Sequence, residues 1–211
     1  MTLLSKKKAR EVLYRLLELY PNATTELNYD SPFHLLCAVI MSAQTTDKQV
    51  NKITPQFFAD FKEPIDLAQA TIPEIEADIH SIGLYHNKAR NLQLMAQQLV
   101  GNFHSQVPKN KADLLTLAGV GQKTANVVLA ELYQIPAIAV DTHVSRIAKK
   151  FKIVPADATP LQVEQRLEEL LPKKDWIRTH HAMIMFGRYQ MTARSKNQDP
   201  YSYLPPVKDD H

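Results

Sequence analysis

Lys123 is the residue whose surroundings most clearly indicate chemistry. It follows two residues after the glycine turn 119–121, in the segment LAGVGQKTANVVL. An apolar run then ends abruptly in Asp-Thr-His at residues 141–143. A neutral lysine is a nucleophile that can form a Schiff base with a sugar aldehyde, and an ionised carboxylate can take its proton. The residue types therefore predict a lysine nucleophile with Asp141 as its partner, and their separation in sequence leaves open whether they meet.

The two glycines predict a short helical hairpin. Gly119 fits the position just past a helix end, where a left-handed φ favours glycine, and Gly121 fits the start of the next helix. The apolar face of that second helix would be Ala125, Val128, Leu129 and Leu132. Backbone N–H groups at such a helix start can bind a phosphate, so the turn is a candidate nucleic-acid clamp. A plain structural turn explains the spacing equally well.

Two expectations follow for the charged residues. Lys123 would lie in the first turn of a largely apolar helix, where burial and the helix dipole both lower the pKa of an amine. A surface lysine that simply contacts phosphate is the more ordinary interpretation. Asp141 would cap a helix that begins at Thr142, a role compatible with catalysis because capping keeps a carboxylate ionised.

The surrounding pattern is helical throughout. Ser31-Pro32 should begin a helix that is buried on all sides from Phe33 to Met41. Its polar exit, residues 42–47, is a candidate site, and Asp47 can cap the next helix, which Pro55 should kink or break. Capping boxes are expected at Thr71-Ile-Pro-Glu and Thr159-Pro-Leu-Gln. Gly83 should permit a tight turn that presents Leu84.

Bulk composition is that of a globular protein. The 211 residues are 45% hydrophobic, with a net charge of +3, which permits nucleic-acid binding without requiring it. The one cysteine, Cys37, excludes an intrachain disulfide and a cluster that needs about four thiolates, and suggests a reducing compartment. No apolar run reaches the ~18 residues of a membrane span. We expect an all-α cytoplasmic protein whose polar tail, from Ser195, is poorly packed or extended.

Five blocks of the sequence carry a resemblance. They are SPFHLLCAVIMSAQTTD, IGLYHNKA, LAGVGQKTANVVL, AVDTHVSR and HHAMIMFGRY. In this order they closely resemble the endonuclease III family of the helix-hairpin-helix DNA glycosylases. The resemblance implies a bilobed all-α protein with a six-helix barrel at residues 25–135, a second lobe from residues 1–24 and 136–211, and DNA in the cleft between them. It also implies a monomer that excises oxidised pyrimidines from double-stranded DNA, acts at abasic sites and nicks the strand, in association with the nucleoid.

Site residues follow from the same resemblance. Lys123 matches the family's catalytic lysine and Asp141 its catalytic aspartate, while Asp47 matches a residue that lines the pocket. Three further positions match residues that fill the gap left by a flipped nucleotide: Gln44, Leu84 and His143. The hairpin residues expected to bind the DNA backbone are Gly119, Val120, Gly121 and Thr124.

The chain departs from the family's pattern in two places. Most members hold a [4Fe–4S] cluster on four cysteines near the C-terminus, but Met191 stands at the first of these positions, so we expect no cluster, no other cofactor and no metal. Ala118 and Gln122 replace the usual proline and arginine of the hairpin. Basic residues that could compensate in DNA binding are Lys173, Lys174, Arg178, Arg188, Arg194 and Lys196.

Three other functions remain open at this stage. The first is an AP lyase or mismatch glycosylase with little activity on oxidised bases. The second is a non-catalytic DNA-binding module that uses the hairpin only as a clamp. The third, a metal hydrolase using His180 and His181, is disfavoured because adjacent helical residues point about 100° apart.

Overall fold

The computed structural model describes residues 2–192, 195 and 198–206. Within these residues every regular element is helical, which confirms the predicted all-α class. The described part contains eleven α-helices: α1 (Lys6–Leu19), α2 (Pro32–Met41), α3 (Asp47–Asp60), α4 (Pro64–Gln69), α5 (Ile72–Ile79), α6 (Tyr85–Asn102), α7 (Lys111–Leu114), α8 (Gln122–Tyr133), α9 (Thr142–Lys150), α10 (Pro160–Leu170) and α11 (Trp176–Met185). Among the helices so described, none has the length and apolarity needed to cross a membrane.

The chain divides into two compact units. The central unit is Glu26–Tyr133 and contains α2 to α8. The terminal unit combines the residues up to Thr25 with those from Gln134 onward and contains α1 and α9 to α11. Each unit has its own apolar core.

Helix α2 is the middle of the central unit. Every residue from Phe33 to Met41 is buried, as the sequence predicted. The helix begins where expected, because the Ser31 hydroxyl accepts a hydrogen bond from the His34 N–H at 3.1 Å and Pro32 occupies the first turn. It packs against α3, α6 and α8. With no side facing solvent, α2 presents polar groups only at its ends.

Helix starts follow the predicted caps, with one shift. Both capping boxes are confirmed, at Thr71 with Glu74 before α5 and at Thr159 with Gln162 before α10. The cap of α3 is Thr46 rather than Asp47, which is the first helical residue. Thr46 takes the role because its backbone is extended and its hydroxyl accepts the Gln49 N–H at 3.3 Å.

Helix α3 runs on through Pro55 to Asp60, so of the kink or break predicted at this proline, the break does not occur. The missing N–H of a proline removes one hydrogen bond from a helix, but packing of the apolar face can keep the helix continuous. Here Thr54 and Phe57, on either side of the proline, are both buried in the central unit.

The terminal unit is built on the apolar faces of α1, α9, α10 and α11. Helix α1 packs against α10 and α11, and α9 packs against α10 and α11. Helix α11 continues into a π-helical turn, Phe186–Gln190. Fully buried residues from these elements include Leu13, Ile147, Phe151, Leu167 and Phe186.

The C-terminal segment is packed where it is described, so the prediction of a poorly packed tail is wrong for residues 198–206. Pro200–Tyr203 form a 3₁₀ turn. The Tyr201 ring meets Phe151 edge-on, with 5.2 Å between centroids, and the Tyr203 ring meets Phe186 at 6.3 Å. This packing was not predictable from the sequence, because isolated aromatic residues between prolines have no helical or strand period.

Two further contacts hold the same segment. Leu204 is 8% exposed and belongs to the core of the terminal unit. The Arg15 side chain of α1 donates from Nε to the carbonyl oxygen of Pro205 at 2.7 Å. The segment is therefore tied both to the core and to the first helix.

Leu204→Ala should destabilise the protein by about 2 kcal/mol, because truncating a buried leucine removes apolar contact and leaves a cavity. We expect the melting temperature followed by circular dichroism to fall by about 4–8 °C. Leu161→Ala is the matched control, since Leu161 is 52% exposed on α10 and its truncation should change stability by less than about 0.5 kcal/mol. Equal effects of the two substitutions would show that Leu204 does not contribute to the core.

Candidate functional site

The glycine turn has the predicted left-handed residue, but at a different distance from the preceding helix. Gly119 has φ +76°, while α7 ends at Leu114, five residues earlier. A Cβ added at Gly119 would lie 3.1 Å from Cβ of Asn91 on α6 and 3.3 Å from Cγ2 of Ile40 on α2. Glycine is thus required here both by backbone conformation and by close packing.

Gly121 has a different role at the start of α8. Its carbonyl oxygen accepts the Ala125 N–H at 2.9 Å, which is the first bond of the helix, as predicted. A Cβ added at Gly121 would meet no atom within 4 Å, and the residue is exposed. Val120 between the two glycines is buried and anchors the turn. The turn therefore presents open backbone beside the first turn of a helix, where N–H groups lack partners within the helix.

Gln98 of α6 holds the turn in place. Its side-chain Nε2 donates to the Thr116 carbonyl oxygen at 3.0 Å, and its Oε1 accepts the Ala118 N–H at 2.8 Å. Both backbone groups lie in the turn between α7 and α8. Sequence reasoning missed this residue, because a glutamine on a helix surface carries no local signal of a partner about 20 residues away.

Lys123 is exposed in the first turn of α8, so the expectation that it would be buried is wrong. The buried face of α8 is formed by Ala125, Val128 and Leu129. Residues two positions apart on a helix point about 200° apart, which directs Lys123 away from the face that begins at Ala125. The side chain is consequently accessible to a macromolecular substrate.

Asp141 caps α9, as predicted. Its Oδ1 accepts the Val144 N–H at 2.8 Å, and the residue is partly exposed. The cap fixes the carboxylate at the positive end of the helix dipole. The remaining oxygen atom is the one available for other chemistry.

His143 lies in the first turn of α9 against the π-helical turn. A Cβ added at Gly187 would come within 2.9 Å of the His143 Cβ, so glycine at this position makes room for the imidazole. Nη2 of Arg146 donates to the carbonyl oxygens of Gly187 at 2.7 Å and Met191 at 2.9 Å, and lies 3.2 Å from Nδ1 of His143. Burial lowers the pKa of His143, while the charge of Asp141 acts in the opposite direction.

Gln44 and Leu84 share an unusual backbone conformation. Their φ angles are 55° and 60°, in the left-handed region that side chains rarely adopt. The sequence had assigned the tight turn to Gly83, but the positive φ falls on Leu84. Leu84 is 55% exposed and Gln44 is also exposed. A left-handed conformation at a non-glycine residue persists only where surrounding contacts hold it in place.

The loops that carry these two residues are neighbours in the central unit. A Cβ added at Gly83 would lie 4.0 Å from the Gln44 carbonyl oxygen. The Gln49 side chain, in the first turn of α3, donates to the Ser81 hydroxyl at 3.2 Å. Asp47, at the start of the same helix, is partly exposed. The structure thus brings Gln44 and Leu84, two of the predicted gap-filling residues, close together.

Lys88 of α6 is a functional candidate that sequence reasoning missed. It is 4% exposed, and its Nζ donates to the Met41 carbonyl oxygen and to the Thr45 hydroxyl, both at 2.8 Å. Burial lowers the pKa of Lys88 to about 8. The block IGLYHNKA contains this lysine, but a single basic residue on an amphipathic helix is ordinarily a surface residue.

The terminal unit contains the basic residues that could help to bind DNA and the two histidines of the metal-hydrolase alternative. Lys173, Lys174 and Arg178 are exposed, and Arg194 and Lys196 lie outside the described residues. His180 and His181 are both buried. In the part of the chain that the structure describes, no group of three or more potential metal ligands occurs, which gives the metal-hydrolase alternative no support.

Comparison with known protein families identifies the class. Residues 37–173 match the family model of the HhH-GPD superfamily base excision DNA repair proteins. This range includes the glycine turn, Lys123, Asp141 and His143. The match therefore covers more than half of the chain and all of the hairpin.

Individual relatives narrow the class further. Endonuclease III of Bacillus subtilis is 42% identical over 193 residues, covering 92% of this chain and 88% of the relative. A solved structure of a trapped endonuclease III–DNA covalent intermediate superposes with a TM-score of 0.90 at 44% identity, over 92% of this chain and 91% of the other. A non-covalent endonuclease III–DNA complex gives 0.91 at 41% identity, over 96% of each chain. The chain belongs to the endonuclease III family.

Gly119→Ala should destabilise the protein by about 1–3 kcal/mol, because alanine is strained at φ +76° and its Cβ would crowd Asn91 and Ile40. Gly121→Ala is the matched control, with an ordinary φ and open space, and should change stability by less than about 0.5 kcal/mol. Denaturant unfolding of both variants measures the difference. A Gly119→Ala protein as stable as the Gly121→Ala protein would contradict the packing described for the turn.

Proposed function

We propose that this protein is a base-excision-repair DNA glycosylase and AP lyase that uses Lys123 as its nucleophile. The observation that carries the proposal is the exposed Lys123 in the first turn of α8, directly after the left-handed turn at Gly119. The family supports the same activity, since one relative was captured as a covalent intermediate with DNA. The substrate is double-stranded DNA that contains a damaged base or an abasic site.

Lys123 and Asp141 divide the chemistry between them. Once its proton has been transferred, the amine of Lys123 attacks C1′ of the damaged nucleotide, and the bond from C1′ to the base breaks as the base leaves with the bonding electrons. The bound amine then loses a proton, its nitrogen forms a double bond to C1′ as the C1′–O4′ bond breaks, and O4′ takes up a proton, which leaves an open-chain Schiff base. Removal of a 2′ proton then expels the 3′ phosphate by β-elimination. Asp141 accepts the lysine proton and stabilises the positive charge that develops on the sugar.

The hairpin binds the DNA backbone without reading sequence. Gly121 leaves its backbone open to a phosphate, and Thr124 adds a hydroxyl in the first turn of α8. Gly119 and Val120 supply the turn geometry that aims these groups. Gln122 takes the position where the family usually has arginine, so this clamp relies on backbone N–H groups more than on side-chain charge.

Three residues fill the gap that a flipped nucleotide leaves in the duplex. Leu84 is the wedge, because it presents an exposed apolar side chain from a strained turn. Gln44 and His143 supply polar groups that face the orphaned base. Asp47 lines the base pocket. Flipping costs a few kcal/mol, and these contacts offset that cost.

Oxidised pyrimidines are the proposed damaged bases, as the resemblance to the endonuclease III family implies. An AP lyase or mismatch glycosylase with little activity on oxidised bases is the alternative. A panel of duplexes with thymine glycol, dihydrouracil, a T·G mismatch or an abasic site separates the two. Cleavage of the first two at rates comparable to the abasic duplex favours the proposal.

We also propose that the protein acts as a monomer in the cytoplasm, at the nucleoid, where such DNA is found.

The residues present do not fit an iron–sulfur cluster. A [4Fe–4S] cluster takes about four cysteine thiolates, whereas the chain has only Cys37, which is fully buried in α2 of the central unit. Burial raises the pKa of the Cys37 thiol well above its usual value. Met191, at the position of the family's first cluster cysteine, is 2% exposed in the core of the terminal unit. We propose that the enzyme works without a cluster.

Protein purified without oxygen should contain no stoichiometric iron or acid-labile sulfide and should lack the visible absorption of a cluster. Repair activity should survive treatment with an iron chelator, because Lys123 and Asp141 supply the chemistry themselves. About four iron atoms and four sulfides per chain, lost together with activity, would contradict this proposal.

Borohydride should trap a covalent complex between the protein and abasic duplex DNA, because it reduces the Schiff base on Lys123 to a stable amine. Lys123→Ala should abolish trapping and strand nicking. Asp141→Asn retains a side chain that caps helices equally well, so the fold of α9 should persist while the glycosylase rate falls by roughly 100-fold or more. Unchanged trapping in Lys123→Ala, or unchanged rates in Asp141→Asn, would overturn the corresponding assignment.

A further inference from the structure

Lys88 links Gln44 and Leu84, two of the left-handed residues of the central unit. We propose that Lys88 is a positioning residue that holds Gln44 and Leu84 in the conformations needed to fill the gap in a duplex. The inference rests on the proposed function, because it assigns a further residue to the same act of DNA recognition. Lys88 itself is buried and does not touch the reacting atoms.

The side chain of Lys88 fixes the exit from α2. Its Nζ donates to the Met41 carbonyl oxygen, in the last turn of α2, and to the Thr45 hydroxyl on the other side of Gln44. The Thr45 hydroxyl in turn donates to the Ala43 carbonyl oxygen at 3.5 Å. Gln44 therefore lies inside a short bend whose two ends are bound to one ammonium group.

The backbone of Lys88 fixes Leu84. Its N–H donates to the Leu84 carbonyl oxygen at 3.0 Å, which is the first hydrogen bond of α6. Leu84 caps this helix in the left-handed conformation and makes no side-chain cap hydrogen bond. Lys88 therefore contacts both loops. Its backbone binds Leu84, the apolar wedge, and its side chain binds the bend that contains Gln44.

The chemistry of Lys88 fits this role better than simple core packing does. Its two partners are a carbonyl and a hydroxyl, both neutral, and burial lowers its pKa to about 8. A buried amine with no paired carboxylate destabilises a core in which methionine would pack well. A charge at the carbonyl end of a helix interacts favourably with the helix dipole, and charge-assisted hydrogen bonds hold strained backbone more firmly than neutral ones.

Gap filling affects activity only on double-stranded DNA. Comparing activity on double-stranded and single-stranded DNA therefore separates a positioning role from simple destabilisation of the protein. Extruding a nucleotide from double-stranded DNA leaves a hole opposite its partner, whereas single-stranded DNA has no such hole. We would measure borohydride trapping rates on the same abasic oligonucleotide as a duplex and as a single strand. The quantity compared between variants is the ratio of the duplex rate to the single-strand rate.

Lys88→Met removes both side-chain hydrogen bonds while keeping the apolar stem, and should lower this ratio about 10-fold, the effect of losing a charge-assisted hydrogen bond. Met95→Ala is the matched control. Met95 is fully buried on the same helix, so its truncation destabilises α6 without touching the bend, and the ratio should stay at the wild-type value. Thr45→Val removes one of the two acceptors with little change in shape, and should lower the ratio by a smaller factor.

A fall in the ratio for Lys88→Met and Thr45→Val, but not for Met95→Ala, supports the positioning role. A wild-type ratio in Lys88→Met, or an equal fall in Met95→Ala, overturns it. If Lys88→Met fails to fold, Thr45→Val decides: a lowered ratio supports the role and a wild-type ratio overturns it. A wild-type protein that traps neither substrate contradicts the proposed function itself, which is a different result from a failure confined to Lys88.

Discussion

The complete burial of α2 is the constraint on which the central unit depends. A helix with no solvent-facing side can bring polar groups to the surface only at its ends, and the last carbonyl groups of a helix need donors from elsewhere. At the carboxyl end, Lys88 donates to Met41 and the chain turns sharply through Gln44. The same helix also packs against Gly119 through Ile40, so the position of the hairpin turn depends on the same core.

The terminal unit achieves its packing by different means. Arg146 binds the carbonyl oxygens of Gly187 and Met191, and so closes the π-helical turn that accommodates His143. Beyond that turn, aromatic rings and Leu204 from the C-terminal segment complete the apolar core. Among the described residues of this segment, side-chain packing and the Arg146 guanidinium therefore hold the chain together.

The sequence predicted those features whose causes are local. The caps at Ser31, Thr71 and Thr159 were correct because a cap is determined by residues within one turn. The burial of α2 followed from its composition. The exposure of Lys123 and the left-handed φ of Leu84 did not follow, because each depends on how distant residues pack. Gln98 and Lys88 were missed for the same reason: their partners lie about 20 and more than 40 residues away in the chain.

Burial of the single thiol, Cys37, affects how readily the protein is oxidised at cysteine. Oxidation of cysteine begins from the thiolate, and burial both raises the pKa of Cys37 and shields it from solvent. The chain thus has no accessible sulfhydryl that peroxide could convert to a sulfenic acid. Cysteine oxidation is thereby disfavoured at the one position of the chain where it could begin.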